Sequence, residues 1–194
     1  MSRTRHHHTK AIVLKSFPHG EASRTILLFT EELGLIYARA QGVRKSAAKL
    51  RAHLSEHSLA RVSLVQGKEV WRLIGAERVS PLQERGTSSR LLRARLSSLL
   101  ERFVTGVGEQ PELFAECDQL WRFLEQDLSQ NERDYFEVVA VLRVMHVLGY
   151  IGGSGMFESL VPPVPLSRES LPAIGPVRAQ AIAAINDSFA HSHL

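Results

Sequence analysis

The stretch Gly34–Leu54, GLIYARAQGVRKSAAKLRAHL, holds the residues with the most usable chemistry in the chain. Tyr37 offers a flat aromatic face. Arg39, Arg44, Lys45, Lys49 and Arg51 offer cations, and no acidic residue follows Arg39 until Glu56. Aromatic rings stack on bases and cations neutralise phosphates, so the two kinds side by side suit a polyanion with flat bases. The same residues also fit an ordinary strand followed by a solvated run of charge. Gly42 marks the break between the two parts. Before it the residues alternate, with Ile36, Ala38 and Ala40 on one face and Leu35, Tyr37, Arg39 and Gln41 on the other. Which face turns outward depends on register, and a slip of one residue reverses it.

Catalytic chemistry needs a constellation, and none can be assembled. The sequence has no P-loop, no GxGxxG after a strand, no HExxH and no GxSxG. Gly152-Gly153-Ser154-Gly155 follows a helical pattern and makes a poor phosphate cradle. His53 and His57 could share a helix face, but Glu56 is the only carboxylate close by in sequence, too few ligands for zinc. His146 sits in the most apolar helical stretch and reads as a hydrogen-bonded core histidine. Cys117, the only cysteine, reads as a small buried hydrophobe and excludes both an intrachain disulfide and a cysteine-based zinc site. The acidic residues of the second half are dispersed, unlike the clusters of two-metal nucleases. The reading is therefore a non-enzyme with no cofactor and no metal.

The chain has 194 residues, 44% of them hydrophobic, enough for one or two cored domains. Its net charge of +4 is unevenly placed. Residues 1–80 carry 14 Lys/Arg against 6 Asp/Glu, a balance of +8, and residues 81–194 carry 10 against 14, a balance of −4. Such separation points to two surfaces with different partners. No apolar run approaches the roughly 20 residues that span a membrane. MSRTRHHHTK lacks the apolar stretch of a secretory signal. Cytoplasmic placement is the expectation, and His6-His7-His8 reads as an unstructured tail.

The elements that must position Tyr37 and Arg39 can be read in order. Lys10–Phe17 is β-branched and apolar, a strand that Pro18-His19-Gly20 turns back. Ser23–Thr30 and Gly34–Gln41 follow, which gives an antiparallel meander. Lys45–Glu56 has helical spacing. Ser58–Gln66 alternates, Gly67-Lys68 turns, and Glu69–Glu77 is a fifth strand, whose Trp71 either packs in the core, the favoured reading, or stacks on a ligand. Five short strands with a helical insert between the third and fourth match the order of an OB-fold barrel, whose ligand face is on strands 2 and 3. An SH3-like barrel shares these strand statistics. On the OB reading, Arg24 joins Tyr37, Arg39 and the basic loop on or near that face.

After Pro81 the period changes to that of helices. Ser89–Thr105 carries Leu91, Leu92, Leu96, Leu99, Leu100, Phe103 and Val104 as a stripe, with Arg90, Arg93, Arg95 and Arg102 mostly off it. A second helix starts at Pro111, with Leu113, Phe114, Cys117, Leu120, Trp121, Leu124 and Leu128 on one face. Glu132–Gly149 is apolar almost all round from Val138 to Leu148, as expected of a buried central helix. Val161-Pro162-Pro163-Val164-Pro165 reads as a rigid connector, and Gly175–Ala190, with Pro176 at its start, as the last helix. The expectation is an α+β chain, with a five-stranded OB-fold barrel over 1–80 and an all-α helical domain over 81–194.

Four pieces carry a resemblance to a known family: AIVLKSFPHGEASRTILLFTEELG, LIYARAQGVRK, LRAHLSEHSLARVSLVQGKEVWRLIGAE, and a helical remainder that includes Leu148-Gly149-Tyr150. In these the chain resembles RecO, the bacterial recombination mediator. The resemblance implies an OB-fold on a helical domain that binds single- and double-stranded DNA, anneals complementary strands and helps load recombinase in DNA repair. It implies two protein partners, RecR and the C-terminal tail of single-strand-binding protein, and a cytoplasmic, nucleoid-associated location. In the family the basic OB face binds DNA. The matching positions here are Arg39, Gly42, Arg44 and Lys45, with Arg24 after the Gly20-Glu21 turn. Many members carry a four-cysteine zinc module where this chain has Ile151–Pro165 without a cysteine, so zinc is expected to be absent. The chain is also shorter than is usual in the family, which implies reduced C-terminal helices.

Three readings follow from the residues. The first is a DNA-binding and annealing protein. The second is an adaptor that binds only proteins, using the helical half and an acidic peptide against the arginines of the Arg90–Arg102 helix. The third is an RNA-binding OB protein, since stacking and phosphate contacts do not tell RNA from DNA.

Overall fold

The computed structural model describes residues 6–19, 23–41, 54–67, 70–79, 86–104, 108–153 and 155–191. Most of the helix expected over Lys45–Glu56 lies outside them, as do Gly42, Arg44, Lys45, Lys49 and Arg51.

Five strands form a closed barrel: β1 (His6–His19), β2 (Ser23–Thr30), β3 (Gly34–Gln41), β4 (Leu59–Gln66) and β5 (Trp71–Arg78). The order round it is β1-β2-β3-β5-β4, with β1 returning to β4. Every pairing is antiparallel except β3–β5, which is parallel. This is the OB-fold, and the SH3-like alternative falls away. β1 serves two partners because it is bulged between Val13 and Lys15. The bulge bends the strand, so its first half closes on β4 and its second half runs along β2. Ala11, Val13, Ile26, Leu28, Ile36, Ala38, Val62 and Leu64 fill the interior, and Leu54 packs onto them. Each large apolar side chain buried in this way contributes about 1.5–3 kcal/mol.

The histidine tract is a strand and not a loose tail. His6, His7 and His8 pair with Val65, Leu64 and Ser63. His8 Nδ1 lies 2.9 Å from Ser63 Oγ, and the His7 ring meets Trp71 edge-on at 5.1 Å. The tract is polar, but β4 supplies a ladder for its backbone, and a paired backbone outweighs local composition. Trp71 is half-buried against the barrel core.

The β2–β3 turn is held by Thr30, whose Oγ1 donates to Gly34 O at 2.9 Å and accepts from Leu33 N at 3.0 Å. Gly34 has φ +67°, and a Cβ there would lie 2.0 Å from Gly108 O. Glycine is required on both counts.

Two compact units divide the chain: Met1–Gln83 with Val104–Phe114, and Glu84–Phe103 with Ala115–Leu194. The helices are α1 (Gly86–Phe103), α2 (Pro111–Phe123), α3 (Gln130–Val147) and α4 (Arg178–His191). α3 is the buried helix its composition implies, with Phe136, Val139, Ala140, Leu142 and Val144 covered. Its start is a capping box. Ser129 Oγ accepts from Glu132 N, and Glu132 Oε2 accepts from Ser129 N at 2.7 Å. Before α4 the chain winds as a 3-10 helix over Leu171–Val177 that contains Pro176, so the α-helix begins three residues later than expected. Proline has no N–H to give and fits the short preceding turn.

The α1 stripe lies further round than expected. Leu91 is 51% exposed, while Ser89, Arg93 and Ser97 are buried with Leu92, Leu96 and Leu100. Arg93 reaches the Trp121 carbonyl through Nη2 at 3.3 Å, and burial holds its guanidinium below its ordinary pKa. The other α1 cations have mixed fates. Arg95 pairs with Glu137, Arg102 lies over the rings of Phe103 and Phe189, and Arg90 is exposed. Cys117 is fully buried, and desolvation raises its thiol pKa. His146 is half-buried and not in the core, and its Nδ1 lies 2.9 Å from the Ile151 carbonyl.

Candidate nucleic-acid interface

On β3 the interior residues are Ile36 and Ala38, so Tyr37 and Arg39 face outward. Tyr37 is 52% exposed. Register extends this outer face across four strands. Phe17 on β1 pairs with Thr25 on β2, Thr25 with Arg39 on β3, and Arg39 with Arg72 on β5. The next row runs Lys15, Leu27, Tyr37. Paired residues in a ladder share a face with Cβ atoms about 5 Å apart. The two rows therefore place two aromatic rings and three cations on one surface, with no acidic residue among the paired positions. Phe17 is 41% exposed, and Arg72 is exposed. Arg39 Nε is screened from solvent and has no hydrogen-bond partner among the described residues.

Arg24 belongs elsewhere. It pairs with Ala40, which puts it on the barrel-facing side with Ile26 and Ala38. There its Nε donates to Ser16 Oγ at 2.7 Å and its Nη2 to Ser16 O at 3.1 Å. It clamps β2 to β1 at the barrel's end, and does not extend the Tyr37 row. The sequence reading placed it by strand and not by parity.

A groove of about 560 Å³ lies over β1, β4 and β5, lined by His8, Lys10, Glu31, Arg61, Ser63 and Glu77. Lys10 Nζ lies 3.9 Å from Glu31 Oε1. Cations and carboxylates alternate here, so this groove has no bias towards phosphate.

Comparison with known proteins places the barrel. Residues 1–82 match the family described as "Recombination protein O N terminal". The chain is similar to DNA repair protein RecO of Gloeothece citriformis, 30% identical over 135 residues, which cover 69% of this chain and 44% of that protein. It is similar to DNA repair protein RecO of Acaryochloris marina, 29% identical over 158 residues, covering 80% and 51%. The protein of the same name from Dehalococcoides mccartyi is 39% identical over 71 residues, covering 37% and 28%. The chain belongs to the RecO family. These matches span from about a quarter to about half of the relatives' own length.

Within this RecO chain, Gly42, Arg44, Lys45, Lys49 and Arg51 lie outside the described residues. Sequence reasoning missed Phe17 and Arg72. Phe17 was the last residue of an apolar strand, and only the bulge between Val13 and Lys15 turns it from the interior parity of Val13 to the outer face. Arg72 becomes a neighbour of Arg39 through the parallel β3–β5 pair, which the OB order alone would have suggested. After α3 the chain makes a 3-10 turn over Gly155–Phe157. No group of three or more His, Cys, Asp or Glu among the described residues could hold a metal ion. No described helix is long and apolar enough to cross a membrane.

Proposed function

We propose that this chain is a non-catalytic DNA-binding protein of recombinational DNA repair. On this reading the outer face of β1, β2, β3 and β5, together with the cations Arg44, Lys45, Lys49 and Arg51, holds single- and double-stranded DNA. The observation that carries it is the acid-free pair of rows in which Tyr37, Arg39 and Arg72 are neighbours. Cations there displace condensed counterions from phosphates, and Tyr37 stacks on a base. Two strands held on one basic surface repel each other less, so complementary strands anneal without ATP. Recombinase loading would follow from that step, in the cytoplasm at the nucleoid. RecR and the C-terminal tail of single-strand-binding protein are the partners this reading supplies.

The adaptor reading loses support from α1, where Arg93 is buried and Arg95 and Arg102 are engaged within their own unit. An annealing assay with complementary oligonucleotides over a salt series tests the proposal, run with and without single-strand-binding protein. Affinity should fall linearly in logarithmic salt, with a slope near −0.7 per phosphate contacted on single strands. A slope near zero, or preference for RNA over a matched DNA strand, would overturn it.

A further inference from the structure

Phe17 and Tyr37 occupy adjacent rows on the first and third strands of the outer face, with β2 between them. Two strand spacings of about 4.8 Å and one two-residue step of about 6.8 Å separate them, a diagonal of roughly 12 Å. Both rings are exposed, and Leu27, in line with Tyr37 on the intervening strand, is 1% exposed. The rings are thus two platforms on either side of a covered floor. Arg39 and Arg72 continue the Phe17 row towards β5.

We propose that Phe17 and Tyr37 form a paired stacking platform that selects single-stranded over duplex nucleic acid, with the strand running across the β-strands from β1 towards β5. The inference rests on the nucleic-acid reading above and adds to it a residue, a direction and a selectivity. Successive bases within a duplex strand rise about 3.4 Å. At that rise each base face in a duplex is covered by its neighbours, so a ring can take a base only from a strand whose stack is open, which a duplex cannot offer without melting. Arg39 and Arg72 touch only phosphates, so they serve both forms alike. Selectivity therefore resides in the two rings, and general affinity in the cations.

The test compares the full chain with Phe17→Ala, Phe17→Trp and Arg72→Ala, each checked by thermal unfolding. Three fluorescent probes are titrated: an oligothymidine, the same backbone with its bases removed, and a duplex of equal length. Phe17→Ala should lower the ratio of oligothymidine affinity to base-free affinity by roughly five- to a hundredfold, the effect of one stacked base. It should lower the single-strand-to-duplex ratio by a similar factor. Phe17→Trp should keep both ratios. Arg72→Ala should reduce the salt slope for all three probes and leave the ratios in place. If the wild-type chain binds with a normal salt slope but Phe17→Ala leaves both ratios unchanged, the platform is wrong and the DNA reading stands. If the wild-type chain binds none of the probes, the DNA reading falls and takes this inference with it.

Discussion

Arg143 and Glu116 meet inside the helical unit, with Nε 2.5 Å and Nη2 3.0 Å from the two carboxylate oxygens. Both side chains are almost wholly buried. The remaining Arg143 donor, Nη1, reaches the carbonyls of Leu160 and Val164 at 3.2 Å and 2.8 Å. One guanidinium thus joins α2, α3 and the proline-rich connector. Removing one partner strands a buried charge, so Glu116→Ala should cost about 3–5 kcal/mol. The double change Glu116→Leu with Arg143→Met should cost far less, since the pair's own desolvation is removed with it. Urea unfolding of the three proteins checks this. Equal losses in the single and double variants would sink the account.

Tyr37→Ala should weaken oligothymidine binding by about 1–3 kcal/mol with little effect on folding, because the ring is half out of the barrel surface. Tyr37→Phe should bind nearly as well as wild type, since stacking needs the ring and not the hydroxyl. Fluorescence anisotropy on the two variants reads the difference.

Arg44→Glu with Lys45→Glu should weaken binding to unrelated DNA sequences about equally and flatten the salt slope. Phosphate contacts carry no sequence information. Unequal losses across unrelated oligonucleotides would show base reading instead.

Gly34→Ala should destabilise the barrel by more than the ~1–2 kcal/mol of left-handed backbone alone. The new methyl carbon would stand 2.0 Å from Gly108 O, and a backbone atom must move to admit it. Chemical denaturation measures the loss. A change under ~1 kcal/mol would mean that the 108 region yields freely.

The α3 capping box makes stability depend on acid. Hydrogen bonds from the Ser129 backbone and side chain, then from Arg168, pull the Glu132 carboxyl down from 4.5 to about 2. Its contribution is complete above pH 4.5 and is lost as pH falls towards 2. Melting temperatures over that range should drop more steeply for wild type than for Glu132→Gln. Ser129→Ala should cost about 1 kcal/mol at neutral pH.

The barrel was legible because its signals are local. Alternation in Gly34–Gln41, β-branching in Lys10–Phe17 and turn residues at Gly67 each act over a few positions, and their order pointed to the OB arrangement. What stayed hidden depended on partners far along the chain. His6–His8 became a strand only because β4 offered a ladder. Arg24 changed sides because parity is set by register, not by which strand a residue belongs to. Arg143 was one polar letter in an apolar helix, and its meaning lies in Glu116, 27 positions away. Leu91 and Arg93 exchanged roles because a stripe's centre is fixed by what packs on it.

The barrel closes where β3 and β5 share three residue pairs, Ala38 with Trp71, Arg39 with Arg72 and Ala40 with Leu73. That seam joins segments far apart along the chain, so it bears a high loop-closure cost for few hydrogen bonds. Its amides should be among the quickest in the barrel to exchange with deuterated solvent. Arg39 and Arg72 stand on opposite sides of it. An oligonucleotide gripped by both would work as a clasp, slowing exchange on the very strands it touches and raising the melting temperature as its concentration rises.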